Sequence, residues 1–262
     1  MRSGDEVQMH DGLLGAELIK ELYDDDKFAI IIVEGKNGSG KTTYACNLLN
    51  EVYKTFKKVR ITKDLDVPRR LISISEPKFY YDWDISFYKH RMGYHPKKVI
   101  EAWKKQKERD YMYIWDDAGS WLCNLDYANA FVKSIGKYLQ VARTKFACIV
   151  FTCIDKADVT SKIRNFKSSY IADVVYTGDH TSPYPSQKYR AEATCWHYWS
   201  DRLEKKIGTE DDFTDSFIPR MPPQFYNWYL PIRKYYVTLQ EKYMMDALRN
   251  QKDIMKYRRV EF

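Results

Sequence analysis

Glycine and proline are sparse in this 262-residue chain, at 11 and 9 positions. No internal repeat and no low-complexity linker divides it, so the length fits one large α/β domain with appendages. The five cysteines, Cys46, Cys123, Cys148, Cys153 and Cys195, contain no C-x-x-C pair and have no histidine at metal-ligand spacing. That excludes a disulfide scaffold and a zinc site, and predicts reduced, mostly buried thiols. No apolar run approaches the roughly 18 residues a membrane span needs. The opening residues are charged and polar rather than leader-like, so a secreted or membrane-spanning protein is not expected.

Three of the few glycines fall together in Gly35-Lys36-Asn37-Gly38-Ser39-Gly40-Lys41-Thr42. This segment matches the phosphate-binding pattern G-x-x-x-x-G-K-[ST]. It lies between Phe28 to Val33, a β-branched apolar run of the kind buried on both faces of a parallel sheet, and Thr43 to Tyr53, which reads as a helix. Such a loop wraps backbone N–H groups around phosphate, and the helix start adds unpaired amides and its positive dipole end. The expected nucleotide contacts are Gly35, Asn37, Gly38, Ser39, Gly40, Lys41, Thr42 and Thr43. Lys41 reaches toward the β- and γ-phosphates and Thr42 offers its hydroxyl to Mg2+.

Further along, the pattern predicts a leading helix over Gly15 to Tyr23, a strand over Lys57 to Asp64, and an aromatic, basic stretch from Leu65 to Met92. A basic helix follows over Lys97 to Arg109, with Pro96 in its first turn. A second apolar strand, Tyr111 to Trp115, ends in two acids, Asp116 and Asp117. A helix over Tyr127 to Ala142 leads through Arg143 to a third apolar strand, Phe146 to Thr152, whose terminal Thr152 is placed to sense the γ-phosphate or position water. A short helix from Val159 to Arg164, a strand from Ser169 to Tyr176, a Gly/Pro/Ser turn over Thr177 to Gln187 and an edge strand from Tyr189 to Trp199 follow. Prolines 219, 222, 223 and 231 punctuate an aromatic linker before a final helix over Ile232 to Arg258. The expected fold is α/β, a three-layer sandwich with a mainly parallel central sheet, antiparallel edge strands and a C-terminal helical extension. Its expected boundaries are 1–204 for the core, with a basic aromatic insertion at about 64–107, and 205–262 for the linker and extension.

The net charge is +7 and unevenly spread. Between Lys54 and Lys107 there are fifteen Lys and Arg against six Asp and Glu; from Pro231 to Phe262 there are eight against four. Basic surface beside a phosphate loop suits a nucleic-acid partner, because neutralising phosphates supplies most non-specific affinity. The 22 tyrosines, many among those basic residues, suit base stacking or ordinary packing.

The succession of phosphate loop, acid-ended strand, polar-ended strand and the segment Ile163-Arg164-Asn165 resembles the additional-strand P-loop ATPases. Within them it is similar to the DNA-pumping branch of FtsK/HerA-type translocases and viral genome-packaging ATPases, and to ATPases of archaeal spindle-shaped viruses and plasmids. The resemblance covers about Phe28 to Tyr176. It implies that Asp116 holds Mg2+ with Thr42, and that Asp117 orients the attacking water where most relatives have Glu. It also implies that a neighbouring subunit of a ring supplies an arginine, Arg143 or Arg164. The expected activity is Mg2+-dependent ATP hydrolysis coupled to DNA translocation, packaging or replication. DNA, further copies of the chain, and viral or replication proteins are the expected partners. The expected location is the cytoplasm, that of the host cell for a viral protein, or the virion. Two other classes fit the same loop. A nucleoside or nucleotide kinase would carry an arginine-rich lid, yet Thr177 to Gln187 contains no Arg. A module locked by bound ATP would hydrolyse little, in keeping with the short acid at position 117.

Overall fold

The computed structural model describes residues 12–54, 56–60, 79–123, 130–179, 181, 188–201 and 206–258. The elements in chain order are α1 (Leu14–Asp24), β1 (Ala29–Glu34), α2 (Lys41–Tyr53), β2 (Phe56–Arg60), β3 (Phe79–Trp83), α3 (Ile85–Arg91), β4 (Met92–Gly93), α4 (Pro96–Lys105), β5 (Asp110–Trp115), α5 (Ala130–Leu139), β6 (Phe146–Thr152), α6 (Ser161–Arg164), β7 (Ser169–Tyr176), β8 (Ala191–Asp201), β9 (Lys206–Phe217) and α7 (Pro223–Arg258).

Seven strands form one sheet in the order β4-β5-β6-β1-β7-β8-β9. The first five run parallel, and β8 and β9 are antiparallel additions at one edge. Every residue of β1 and β6 is buried, as continuous apolar runs require when both faces are covered. Alternation along β1 sends Ile30 and Ile32 to a face shared with Trp103 of α4, Ile135 and Leu139 of α5, and Ile163 of α6. Ala29 faces the other way, against Leu22 of α1 and Ala147. The α/β class, the mostly parallel sheet and the antiparallel edge are therefore as expected.

Several boundaries differ. The strand expected from Lys57 pairs with β3 in a separate two-stranded sheet and not with the main one. Residues 61–78, 124–129 and 182–187, which include parts of the expected insertion, of the helix expected over Tyr127 to Ala142 and of the expected turn, lie outside the described residues. The larger difference is β9. The expected boundary after residue 204 cuts ahead of a strand that completes the sheet, and the compact first unit runs to Met221. The β9 run Thr209-Glu210-Asp211-Asp212 is poor in strand formers, but among the described residues β9 has only one neighbour, and charged side chains protect such an edge. One inward acid has structural work: Asp215 accepts the N–H groups of Leu14 and Gly15 at 2.7 and 3.0 Å and the Tyr44 hydroxyl at 2.8 Å. It thereby caps α1 from across the fold.

The second unit, from Pro222, is built on α7, whose 36 residues span about 54 Å. Pro231 lies inside this helix rather than ending a linker. The helix therefore begins nine residues earlier than expected.

Candidate nucleotide site

The loop from Gly35 to Gly40 joins the carboxyl end of β1 to α2. Its three glycines adopt φ of 141°, 83° and 106°, a backbone region that L side chains rarely enter. Two of them also permit close approach. A Cβ on Gly35 would strike the Val174 carbonyl of β7, and one on Gly40 would lie 2.6 Å from the Pro219 Cβ. Gly40 occupies the N-cap position of α2 with no capping side chain, so the first amides of the helix have no side-chain acceptor there. Lys41 folds back over the loop, and its ammonium donates to the Gly35 and Lys36 carbonyls at 2.8 and 3.0 Å. Those bonds offset the cost of enclosing a cation that is only 9% exposed.

The acids approach through strand register. Trp115 pairs with Phe151 and Val33 pairs with Thr152, so the residue after β5, the end of β6 and the start of the loop converge. The fully buried Asp116 accepts the Thr42 hydroxyl at 2.9 Å and the Thr152 hydroxyl at 2.7 Å on the same carboxylate oxygen, Oδ1. Thr152 in turn accepts the Asp117 backbone N–H at 2.8 Å. Asp117 turns the chain with φ of 52° and is half-buried. The expected pair Thr42 and Asp116, the second acid and Thr152 are thus brought together by direct contacts.

The two arginines are not. Arg143 is exposed in the turn that precedes β6 and borders a cavity at the amino end of the sheet. The length of β6, which ends in Thr152, separates Arg143 from that threonine by roughly 20 Å. Arg164, at the end of α6, donates to the Lys156 carbonyl at 3.4 Å. Among the described residues neither has a hydrogen bond or ion pair to the glycine loop.

Other groups join the site unannounced by the motif. A cavity of about 690 Å³ beside the loop is lined by Glu34, Lys36, Asn37, Ile154, Asp173 and Tyr176, among others. Glu34 accepts the Lys156 backbone N–H at 2.7 Å and pairs with its ammonium at 2.9 Å, and that ammonium lies 4.7 Å from the Trp196 ring centre. Glu34 was legible as a charge ending an apolar strand just before Gly35. Lys156 and Trp196 carry no such signal. All five cysteines are free, and burial, then the nearby Glu34 carboxylate, push the Cys153 thiol well above its ordinary range. It is a neutral packing group rather than a nucleophile.

The residues fit a polyphosphate and a hard cation. Among the described residues Ser39 Oγ is buried without a hydrogen-bond partner, and the Asp116 carboxylate and Thr42 hydroxyl supply oxygen ligands of the type Mg2+ takes. Among the described residues no three His, Cys, Asp or Glu side chains gather into a metal cage. Mg2+ held by one carboxylate and substrate phosphates requires none. Comparison of the chain with protein-family models and with curated proteins finds no match. Among the described residues no helix is long and apolar enough to cross a membrane.

Proposed function

We propose that this chain is a Mg2+-dependent ATPase whose turnover does work on DNA. The observation that carries the nucleotide half of this reading is the Asp116 carboxylate, which joins the first turn of the loop helix to the end of β6 through Thr42 and Thr152. The insertion of β6 between β1 and acid-ended β5 agrees with an additional-strand arrangement. The glycine loop and the first amides of α2 bind the triphosphate, and Lys41 exchanges its two carbonyl partners for β- and γ-phosphate oxygens. Asp116 and Thr42 would hold Mg2+, which would supply neutralisation of the charge developing on the phosphoryl oxygens. Asp117 orients water for in-line attack, and Thr152 fixes its backbone. An arginine from a neighbouring copy, Arg143 or Arg164, completes the charge stabilisation in an assembled ring.

The DNA half rests on the basic excess between Lys54 and Lys107, of which α4 presents Lys97, Lys98, Lys104 and Lys105. Steady-state hydrolysis measured at several protein concentrations, with and without duplex and single-stranded DNA, tests both halves. The expected result is turnover that rises with DNA and with protein concentration and vanishes in Lys41→Ala. Turnover indifferent to DNA would remove the coupling while leaving the ATPase. A second reading, an ATP-locked assembly module, draws on the short acid of Asp117 and its strained left-handed backbone. It requires ATP binding with turnover that is negligible and unchanged in Asp117→Asn.

A further inference from the structure

The phosphate loop has a second wall, built from β7, β8 and the segment after β9. On one side Gly35 lies against the Val174 carbonyl. Two residues on, the Tyr176 hydroxyl donates to the Lys188 carbonyl at 2.6 Å, which ties the segment leading into β8 to the rim of the cavity. The next residue, Tyr189, carries two cations on its ring, with the Arg220 guanidinium 3.9 Å and the Lys188 ammonium 5.9 Å from the ring centre. Arg220 directly follows Pro219, whose ring occupies the space that a side chain on Gly40 would need. Covalent connection therefore holds Arg220 beside the N-terminus of the loop helix, within the reach of an arginine side chain from the glycine loop.

Among the described residues only one of the three cations on this wall, Arg190, has a carboxylate partner. Arg190 pairs with Glu192 at 2.9 Å and donates to the Ser216 hydroxyl at the same distance. Among the described residues Lys188 and Arg220 have no carboxylate within ion-pair distance, and Arg220 is exposed. Two like charges sharing one ring repel each other, and an anion between them and the loop would relieve that repulsion. The loop itself offers uncapped helix amides and the partnerless Ser39 hydroxyl to such an anion. A guanidinium stacked on an aromatic face is also pre-oriented, so it loses little freedom on meeting phosphate.

We infer that Arg220, held on the Tyr189 platform, is a cis-acting contact for the polyphosphate of the nucleotide bound in the Gly35–Gly40 loop, with Lys188 as a weaker electrostatic companion. This rests on the nucleotide reading above and adds to it a cation from the same chain, distinct from any arginine supplied by a neighbouring copy. The alternative is that Arg220 merely braces Tyr189 and the β8–β9 edge.

Titration of the full chain with the fluorescent analogue MANT-ATP in the presence of Mg2+ separates the two, with the nucleotide-free melting temperature measured alongside. Arg220→Ala should weaken MANT-ATP binding by about tenfold, the worth of one charge-assisted hydrogen bond. Arg220→Lys should lose less, and neither variant should melt differently without nucleotide. Unchanged affinity in Arg220→Ala would overturn the inference, as would a loss of affinity that tracks an equal fall in melting temperature in both variants. Lys41→Ala keeps the outcomes distinct. If the wild type binds and Lys41→Ala does not while Arg220→Ala binds normally, only the role of Arg220 fails. If the wild type does not bind MANT-ATP, the nucleotide reading fails and takes this inference with it.

Discussion

The two ends of the main sheet carry cavities of nearly equal size, about 690 Å³ beside the glycine loop at the carboxyl ends of β1 and β7 and about 720 Å³ at the amino ends. Volume does not distinguish them; the disposition of polar groups does. At the amino end the protein satisfies its own carbonyls. One guanidinium, that of Arg109, donates to the carbonyls of Leu22, Tyr23, Lys27 and Arg143 and pairs with Asp26. At the carboxyl end, among the described residues, the helix start has no capping side chain and Ser39 Oγ has no partner, and the backbone is held in left-handed conformations. Polar capacity left unused inside a fold costs stability, and it is retained where a ligand supplies the missing partners.

Substitutions at the two ends should therefore separate function from stability. The largest effect is expected at Lys41. Lys41→Ala should lower ATP turnover by about a hundredfold or more, as loss of a preorganised charge does, with little change in the melting temperature. Asp117→Asn should also cost turnover, about a hundredfold, with ATP affinity retained; separate determinations of kcat and the ATP dissociation constant check the split. At the opposite end the pattern should invert. Arg109→Ala removes the donor to four carbonyls and should destabilise the fold by about 2–3 kcal/mol in urea unfolding, while the turnover of the remaining folded protein stays near wild type. Thr152→Val lies between, because it strips a donor from Asp116 and an acceptor from the Asp117 N–H. It should cost about 1–3 kcal/mol of stability and reduce turnover together.

The smallest effect concerns pH. Burial raises the Asp215 carboxyl above its ordinary value, against the opposing bonds from Tyr44, Gly15 and Leu14. The folded state then holds that proton more tightly than the unfolded chain, so stability from this group falls as pH rises through the window just above the usual aspartate range. Between neutral pH and that window the wild type should gain stability relative to Asp215→Asn on acidification. A difference that stays flat, or that runs the other way, would remove Asp215 as the source.

The carboxyl end was the legible one because its chemistry is local in sequence. The eight residues from Gly35 to Thr42 fix a backbone, and Asp116, Asp117 and Thr152 each end an apolar run, so strand register alone gathers them. Glu34 could have been read by the same rule. What stayed hidden depends on pairing between distant segments. β9 is acidic and polar because it is an edge, and its inward Asp215 reveals its purpose only against α1. Arg220 and Tyr189 are 31 positions apart in the sequence and meet only because β8 and β9 pair. The prolines from 219 to 231 suggested one linker; instead Pro219 packs on the loop glycine and Pro231 lies within α7, contexts that composition does not distinguish.

The most direct test of the nucleotide site is a calorimetric titration of ATP into the wild type and Lys41→Ala, each with Mg2+ and with EDTA. The prediction is one ATP bound per chain, affinity at least tenfold weaker in EDTA, and no detectable binding in Lys41→Ala. Absence of binding to the wild type, or equal affinity in Lys41→Ala, would contradict the assignment of the carboxyl end as the nucleotide site.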